Sequence, residues 1–277
     1  MTRVDMLIRN IIIFCLSIIL SSCTHSISEV KYKTFVINLD NAPERMRIST
    51  NQLKEHNVQF ERFKAVNGYR INITDIDSGK KFTGQDLKDK KISLIKGKKY
   101  FVDCGIDPKA NYIYFNEKNI MSSAGEFGCL CSHRGVLVEA IKQNLDVVVV
   151  CEDDFKILSN QFSFLLHASI NKIPENSVIY LDAHGSGLGD IKRDQNIPNL
   201  LIQLPKIPKL IFGTYALVFD IKAAKSIIQS IETDRQIDNT ITKLIMKKKI
   251  KGFLLNKKTI TYSEELGSNI KEMGRPH

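Results

Sequence analysis

The chain reads as an α/β protein built on one mostly parallel sheet flanked by helices, in a single domain. Three observations predict this. A strand, a helix and a second strand follow one another over residues 34–66, the βαβ order of a parallel sheet. The β-branched run Val147-Val148-Val149-Val150 has the pattern of a fully buried strand. Helix-like and strand-like segments then keep alternating to about Ile231, and 277 residues are enough to bury a full core.

The first strand is Thr34-Phe35-Val36-Ile37-Asn38-Leu39. A helix starts at Asn41-Ala42-Pro43-Glu44, with Asn41 suited to the cap, Pro43 to the first turn and Glu44 to the positive end of the dipole; Met46 and Leu53 share one face. The second strand lies around Gln59 to Val66 and stops at the turn signal Asn67-Gly68. Residues 72–121 are Lys-rich around Gly79 to Lys99 and show no sustained period, so they are expected to form a variable insertion or a flexible flap over a site. Order returns where Ser123 opens a helix through Cys131, His133, Val136, Leu137, Ala140 and Ile141, leading into the valine strand. A helix around Phe162 to Ile170, a strand at Val178 to Leu181, a Gly-rich loop at His184 to Gly189, a strand at Tyr215 to Phe219 and an amphipathic helix from Ile221 to Ile231 complete the series.

Before the domain, Arg3 and Arg9 precede the apolar run Ile11 to Leu20, which is short for a bilayer span and right for a signal-peptide core. It ends in Leu20-Ser21-Ser22-Cys23, which resembles a bacterial lipobox and implies cleavage before Cys23 with lipid on its sulfur; the alternative is an uncleaved anchor. Residues 1–22 are thus a signal peptide or membrane anchor, 23–33 a linker and 34–277 the globular domain. Membrane association is expected either way.

The net charge of +10 is concentrated in two Lys-rich runs, Lys80 to Lys99 and Lys243 to Lys258. Such patches suit anionic partners: phosphorylated glycans, lipid head groups or nucleotide phosphates. No zinc finger, RNA-binding signature or basic groove interleaved with aromatics is present, so nucleic acid is not an expected partner. The globular cysteines Cys104, Cys129, Cys131 and Cys151 show neither a C-x-x-C pair nor a Cys/His zinc spacing and read as buried thiols, with Cys129 in the core; a disulfide stays open if the chain is exported.

The valine strand ends in Cys151-Glu152-Asp153-Asp154. Open α/β sheets bind ligands at the carboxyl ends of their strands, and carboxylates placed there suit a hard dication shared with the phosphates of a nucleotide. Arg45 and Arg47 follow the end of the first strand, where a guanidinium can fork onto a diphosphate.

Three segments together resemble glycosyltransferase family 25, the lipooligosaccharide galactosyltransferases of bacteria and their collagen-modifying relatives. They are Asn38-Leu39-Asp40-Asn41-Ala42-Pro43-Glu44-Arg45-Met46-Arg47 with Phe63-Lys64-Ala65-Val66-Asn67-Gly68, then Gly125-Glu126-Phe127-Gly128-Cys129-Leu130-Cys131-Ser132-His133, then Glu152-Asp153-Asp154. The resemblance implies a GT-A fold, a UDP-sugar donor, usually UDP-galactose, and inversion at the anomeric carbon. It makes the acidic tripeptide this chain's version of the D-x-D signature: Asp154 coordinates Mn²⁺ or Mg²⁺, Glu152 lies on the metal shell or the donor ribose, and Asp153 borders the donor. Asn38, Leu39, Arg45, Val66, Asn67, Gly68, Gly125, Ser132 and His133 are the remaining expected donor contacts, although Asn67 is equally explained as a turn former and Glu126 as a cap. Inversion needs a base for the acceptor hydroxyl. Asp238, after the Gly213-Thr214-Tyr215 segment, is the first candidate and Asp182 the rival. Tyr262 to Ile270 resembles the family's closing segment, without the usual Gln-type start.

The expected function is transfer of a hexose to a hydroxyl of a cell-surface glycan or glycolipid. Nucleotide sugars are made in the cytosol, whereas a lipoprotein signal exports its domain. The alternative is therefore an exported lipoprotein that keeps the fold as a non-catalytic glycan-binding or interaction module. A metal-dependent phosphoesterase would need further His or Asp ligands at metal spacing, and the sequence does not supply them.

Overall fold

The computed structural model describes residues 29–117, 121, 123–184, 188, 199–204 and 211–266. The signal or anchor segment, the lipobox, most of the Gly-rich loop after His184 and the end of the closing segment lie outside the described residues. Among the described residues no helix is long and apolar enough to cross a membrane.

Strand β1 (Tyr32–Asn38) is buried from Thr34 to Asn38. Helix α1 (Pro43–Glu55) takes Ala42 as its cap residue with no side-chain cap bond, so the expected capping role of Asn41 is corrected. The turn is closed instead by Ala42 N–H on the Leu39 carbonyl at 3.0 Å and by the Asn38 amide on the Ala42 carbonyl at 2.9 Å. The buried stripe of α1 is Arg45, Ser49 and Leu53, one turn apart, while Met46 is half-buried. Two of those three are polar because the helix lies against the acidic turn. Strand β2 (Glu61–Lys64) pairs parallel to β1.

Within the stretch expected as a variable Lys-rich insertion or flexible flap, the described residues form β3 (Asn72–Asp75), β4 (Lys81–Thr83), the short helix α2 (Gly84–Lys88), β5 (Lys99–Asp103) and β6 (Tyr112–Phe115). Tyr100 and Val102 are buried on β5, with Lys99 and Phe101 exposed between and beside them, and Tyr112 and Tyr114 are buried on β6. This is the two-residue period of a half-buried strand, carried in segments of three to five residues.

Helix α3 (Ala124–Lys142) is closed at its start by a reciprocal capping box between Ser123 and Glu126. Then follow β7 (Val147–Glu152), β8 (Phe155–Ile157), α4 (Phe162–Lys172), β9 (Ser177–Tyr180), β10 (Leu201–Gln203), β11 (Ala216–Asp220), α5 (Ile221–Gln229), β12 (Glu232–Thr233), α6 (Ile237–Met246), β13 (Lys251–Leu255) and β14 (Ile260–Tyr262).

The main sheet has the order β10-β13-β9-β11-β7-β1-β2. Strands β2, β1 and β7 are mutually parallel, as are β9 and β13, but β11 runs antiparallel to both of its neighbours and β10 antiparallel to β13. The sheet is therefore mixed, more so than the βαβ opening implies. A second sheet, β12-β6-β5-β3-β4, is antiparallel apart from β12, and β14 pairs with β8 in a small ribbon. Buried Tyr112, Tyr114, Phe127, Leu137, Val150 and Ile227 belong to one continuous core spanning both sheets and α3.

Two covalent or charged ties hold α3 in place. Cys104 and Cys131 form a disulfide, which corrects the reading of both as free thiols and joins the end of β5 to α3. Arg134 is 1% exposed, yet its guanidinium donates to the carbonyls of Ala110, Asn111, Ile227, Ile228 and Ser230. A buried cation is tolerated here because carbonyls at the end of α5 and at the entry to β6 satisfy it. Burial lowers its pKa to about 10.

Candidate functional site

The site sits where β1 and β7 end together. Their parallel register sets Ile37 opposite Glu152, so the next residues out, Asn38 and Asp153, meet. The Asn38 amide donates to the Asp153 carboxylate at 2.6 Å, and the Asn38 oxygen accepts from Arg62 Nε at 2.9 Å. Because β11 is antiparallel to β7, the residues just before it arrive at the same edge. Thr214 Oγ1 donates to Glu152 at 2.6 Å, and the Glu152 N–H donates to the Tyr215 carbonyl at 3.0 Å. The acidic turn is backed by Ser49, whose hydroxyl donates to the Asp153 carbonyl at 3.1 Å, and by Ser263, whose N–H donates to the Asp154 carbonyl at 2.7 Å.

Arg45 reaches in from the first turn of α1 and bridges the acids, with Nη2 at 2.8 Å from both Asp153 and Asp154. Arg47 instead faces out and pairs with Glu44. Glu152 accepts from Thr214 and lies 3.0 Å from the Nε2 of buried His133. Burial alone would raise the Glu152 pKa, but the hydrogen bonds from His133 and Thr214 hold it below the ordinary carboxylate value. Burial raises Asp153 against the pull of Arg45, and it pushes Asp154 up to about 8, with the neighbouring Glu152 charge adding to the effect and Arg45 opposing it.

Several polar atoms here lack a partner. Asp154 Oδ1 and the Arg45 Nε and Nη1 groups are buried without a hydrogen bond. Three adjacent carboxylates against one guanidinium, with Asp154 raised and one of its oxygens unsatisfied, make a donor set that fits a hard dication. The unused Arg45 N–H groups fit an anion.

A cleft of about 560 Å³ opens over this edge. Of the residues expected to touch a donor or metal, Leu39, Arg45, Val66, Gly68, Gly125, Ser132, His133, Glu152, Asp153 and Asp154 line it. Asn38 stands behind it, holding Asp153. Asn67 accepts from the N–H of Tyr69 as the cap of a 3₁₀ turn and faces a neighbouring cleft of about 1340 Å³ that shares Leu39, Ala65 and Val66 with the first. Ser132 accepts from the Val66 N–H at 2.8 Å and donates to the Gly128 carbonyl at 2.7 Å, so it positions the Val66–Gly68 loop as well as lining the cleft. A Cβ on Gly128 would meet the Gly68 nitrogen and the Val66 carbonyl oxygen, each at 2.7 Å. The glycine therefore serves close approach of this loop to α3.

The two base candidates separate in space. Asp238, in the first turn of α6, lines a third cleft of about 450 Å³ together with Glu126, Thr214 and Gln236, and this cleft shares Cys129 and Glu152 with the first. Asp182 is 4% exposed, accepts from the Tyr215 hydroxyl at 2.6 Å, pairs with Lys258 at 3.4 Å and lines none of these three clefts.

Sequence reasoning missed Thr214, Gln236 and Cys129. Cys129 is half-buried rather than core, and it lines two clefts. Partial burial and the carboxylates of Glu152 and Asp238 push its thiol well above the ordinary value. It precedes His133 by one helical turn, a Cys-x-x-x-His spacing that puts both on one face of α3, where they meet Glu152 with the three donor atoms within 4.8 Å of one another. Glu126 takes the capping role with one oxygen and accepts from Gln236 with the other.

A family model described as "Glycosyltransferase family 25 (LPS biosynthesis protein)" matches residues 31–241. The match takes in β1 through the first turn of α6, and with it every lining residue of the first cleft. A comparison with curated proteins finds no match.

Proposed function

Because the chain belongs to glycosyltransferase family 25, we propose that it moves a hexose, galactose first among candidates, from a UDP-sugar to a hydroxyl of a lipopolysaccharide-type surface glycan or glycolipid, with inversion. Family membership implies glycosyltransferase activity; the donor, the sugar, the stereochemistry and the metal are proposed on the chemistry of the cleft. One observation supports it above the rest: Arg45, with two unused buried N–H groups, sits 2.8 Å from the acids of the same cleft that holds the family's central motif.

In this reading the donor diphosphate takes the Arg45 N–H groups, a charge-assisted contact in a partly dry site. The Val66–Gly68 loop, held by Ser132, borders the nucleoside. Mn²⁺ or Mg²⁺, held by Asp154 and Glu152 when bound, supplies Lewis-acid charge to the leaving diphosphate. Asp238 accepts the proton of the acceptor hydroxyl from the adjoining cleft. The hydroxyl oxygen bonds to the anomeric carbon, the bond from that carbon to the phosphate oxygen breaks, and UDP departs with the electron pair. Asp182, already tied to Tyr215 and Lys258, is a positioning residue for the strand end.

Calorimetry with UDP-, GDP- and CMP-sugars, with and without Mn²⁺, tests the assignment. UDP-sugars bind, Mn²⁺ tightens binding, and Asp154→Ala removes the metal effect. Equal binding of the three nucleotides, or a metal effect that survives Asp154→Ala, overturns it.

The disulfide Cys104–Cys131 favours a second reading. Disulfides persist in oxidising compartments, so the domain would be exported and membrane-tethered through its N-terminal segment, acting as a glycan-binding module away from cytosolic donors. A lipidated Cys23, found by mass spectrometry of the N-terminus, together with no transfer from any UDP-sugar, would select it.

A further inference from the structure

Cys129, His133 and Glu152 form a cluster that the transferase reading does not use as a unit. Two of them come from successive turns of one rigid helix, locked by the capping box at its start and the disulfide at Cys131, and the third comes from the end of the central strand. Their donor atoms are a thiol sulfur, an imidazole nitrogen and a carboxylate oxygen, all within 4.8 Å. The set is softer than an all-carboxylate site. Soft and borderline donors select zinc-type ions over magnesium-type ones.

We propose that Cys129, His133 and Glu152 form a binding site for a thiophilic divalent cation, Zn²⁺ or its analogues, distinct from the hard-cation position at Asp154. Three protein ligands with a fourth position open to a cleft is the arrangement of an accessible zinc centre. Tetrahedral zinc holds neighbouring sulfur and nitrogen ligands roughly 3.5 Å apart, so the widest donor separation closes by about 1 Å on binding. His133 Nε2 and Glu152 Oε1 are already 3.0 Å apart, and the remaining adjustment falls to the half-buried Cys129 side chain. The hydrogen bond from Thr214 to Oε1 orients Glu152, an outer partner of the kind that tunes ligating carboxylates. Glu152 is common to both cation positions, so the two ions compete: a thiophilic cation at this cluster withdraws Glu152 from the acidic turn and antagonises a hard cation at Asp154. Binding of this ion does not depend on the chain being a transferase.

The test is an optical titration of the chelator-treated full chain with Co²⁺, a zinc analogue whose thiolate bond gives a charge-transfer absorption. Wild type shows the thiolate band at one equivalent, and Zn²⁺ bleaches it. Cys129→Ser, which keeps the side-chain shape, loses the band and weakens cation binding by at least about tenfold. Asp154→Ala keeps the band. Absence of the band in wild type, or its survival in Cys129→Ser, overturns the proposal. Loss of the band in Asp154→Ala, with an unchanged far-ultraviolet dichroism spectrum, would merge the cluster with the acidic turn and equally overturn it as a separate site.

Discussion

Replacing Arg45 by methionine removes one cation from between two buried carboxylates while keeping an unbranched side chain of similar length. The guanidinium lies 2.8 Å from Asp153 and from Asp154, with side chains about 10% exposed or less on both sides. Removing one partner of a buried ion pair costs about 3–5 kcal/mol while the orphaned charges stay ionised. Here they need not stay so, because burial has already moved Asp154 up to about 8 and Asp153 upward. A carboxyl whose folded-state pKa exceeds its unfolded value stabilises the fold at low pH and loses that contribution as pH rises through the folded value. Without Arg45 both folded-state values rise further, so the loss extends beyond pH 8. At about pH 5, with Asp154 protonated, the variant forfeits a guanidinium hydrogen bond to a neutral carboxyl and the contact with Asp153, about 1.5–3 kcal/mol; at about pH 9 it forfeits both ion pairs, about 3–5 kcal/mol. The chain has no tryptophan, so urea unfolding is followed by far-ultraviolet circular dichroism at both pH values. A destabilisation that differs by less than about 0.5 kcal/mol between the two pH values, or that is larger at the acid end, refutes the electrostatic account of this site.

Two further outcomes follow from the geometry. Asp238→Asn lowers kcat with UDP-galactose by about 100-fold or more with little change in KM, whereas Asp182→Asn acts mainly on thermal stability; steady-state kinetics with a glycan acceptor separates them, and the reverse pattern would exchange their roles. Reducing Cys104–Cys131 opens a loop with a sequence separation of 27, which lowers unfolding free energy by about 3.5 kcal/mol in the chain-entropy account; urea midpoints of Cys104→Ser and of reduced wild type should agree, and an unchanged midpoint in both would show that the bridge adds nothing to the fold.

The βαβ opening and the valine strand were legible because each buries a long uninterrupted run, Thr34 to Asn38 and Val147 to Cys151, so hydrophobicity alone marks them. The second sheet was not. Its buried residues alternate with lysine, aspartate and exposed aromatics in strands of two to five residues, too few for a period-two signal to stand out from a Lys-rich background. Signals for it did exist in Tyr100/Val102 and Tyr112/Tyr114, whose spacing places each pair on one face. The site was legible as a set of motifs, since Arg45 sits in the first turn of a helix, the acids close a strand, and Ser132 and His133 end the segment 125–133. Partners that arrive through tertiary structure were not: Thr214 and Gln236 carry no local pattern, and Cys129 looked like core because α3 is buried over most of its length.

The reversal of β11 explains why the site has two sides. In an all-parallel sheet the neighbour of β7 would contribute its own carboxyl end to this edge, and the residues before it would lie at the far edge. Because β11 runs the other way, its amino end reaches the cleft, and Thr214 and Tyr215 arrive beside Glu152 and Asp182 in consecutive positions. Thr214 fixes Glu152 toward the cleft, while Tyr215 draws Asp182 out of it. The same strand leads through α5 and β12 into α6, whose first turn sets Asp238 in the adjoining cleft, which shares Glu152 with the cleft that Arg45 lines. This antiparallel strand thus accompanies a division of the acids between the cleft that the guanidinium lines and an adjoining cleft lined by Glu126 and Asp238, with Glu152 shared by both. The in-line displacement proposed for this site needs such a division, with the leaving group in one cleft and the proton acceptor in the other.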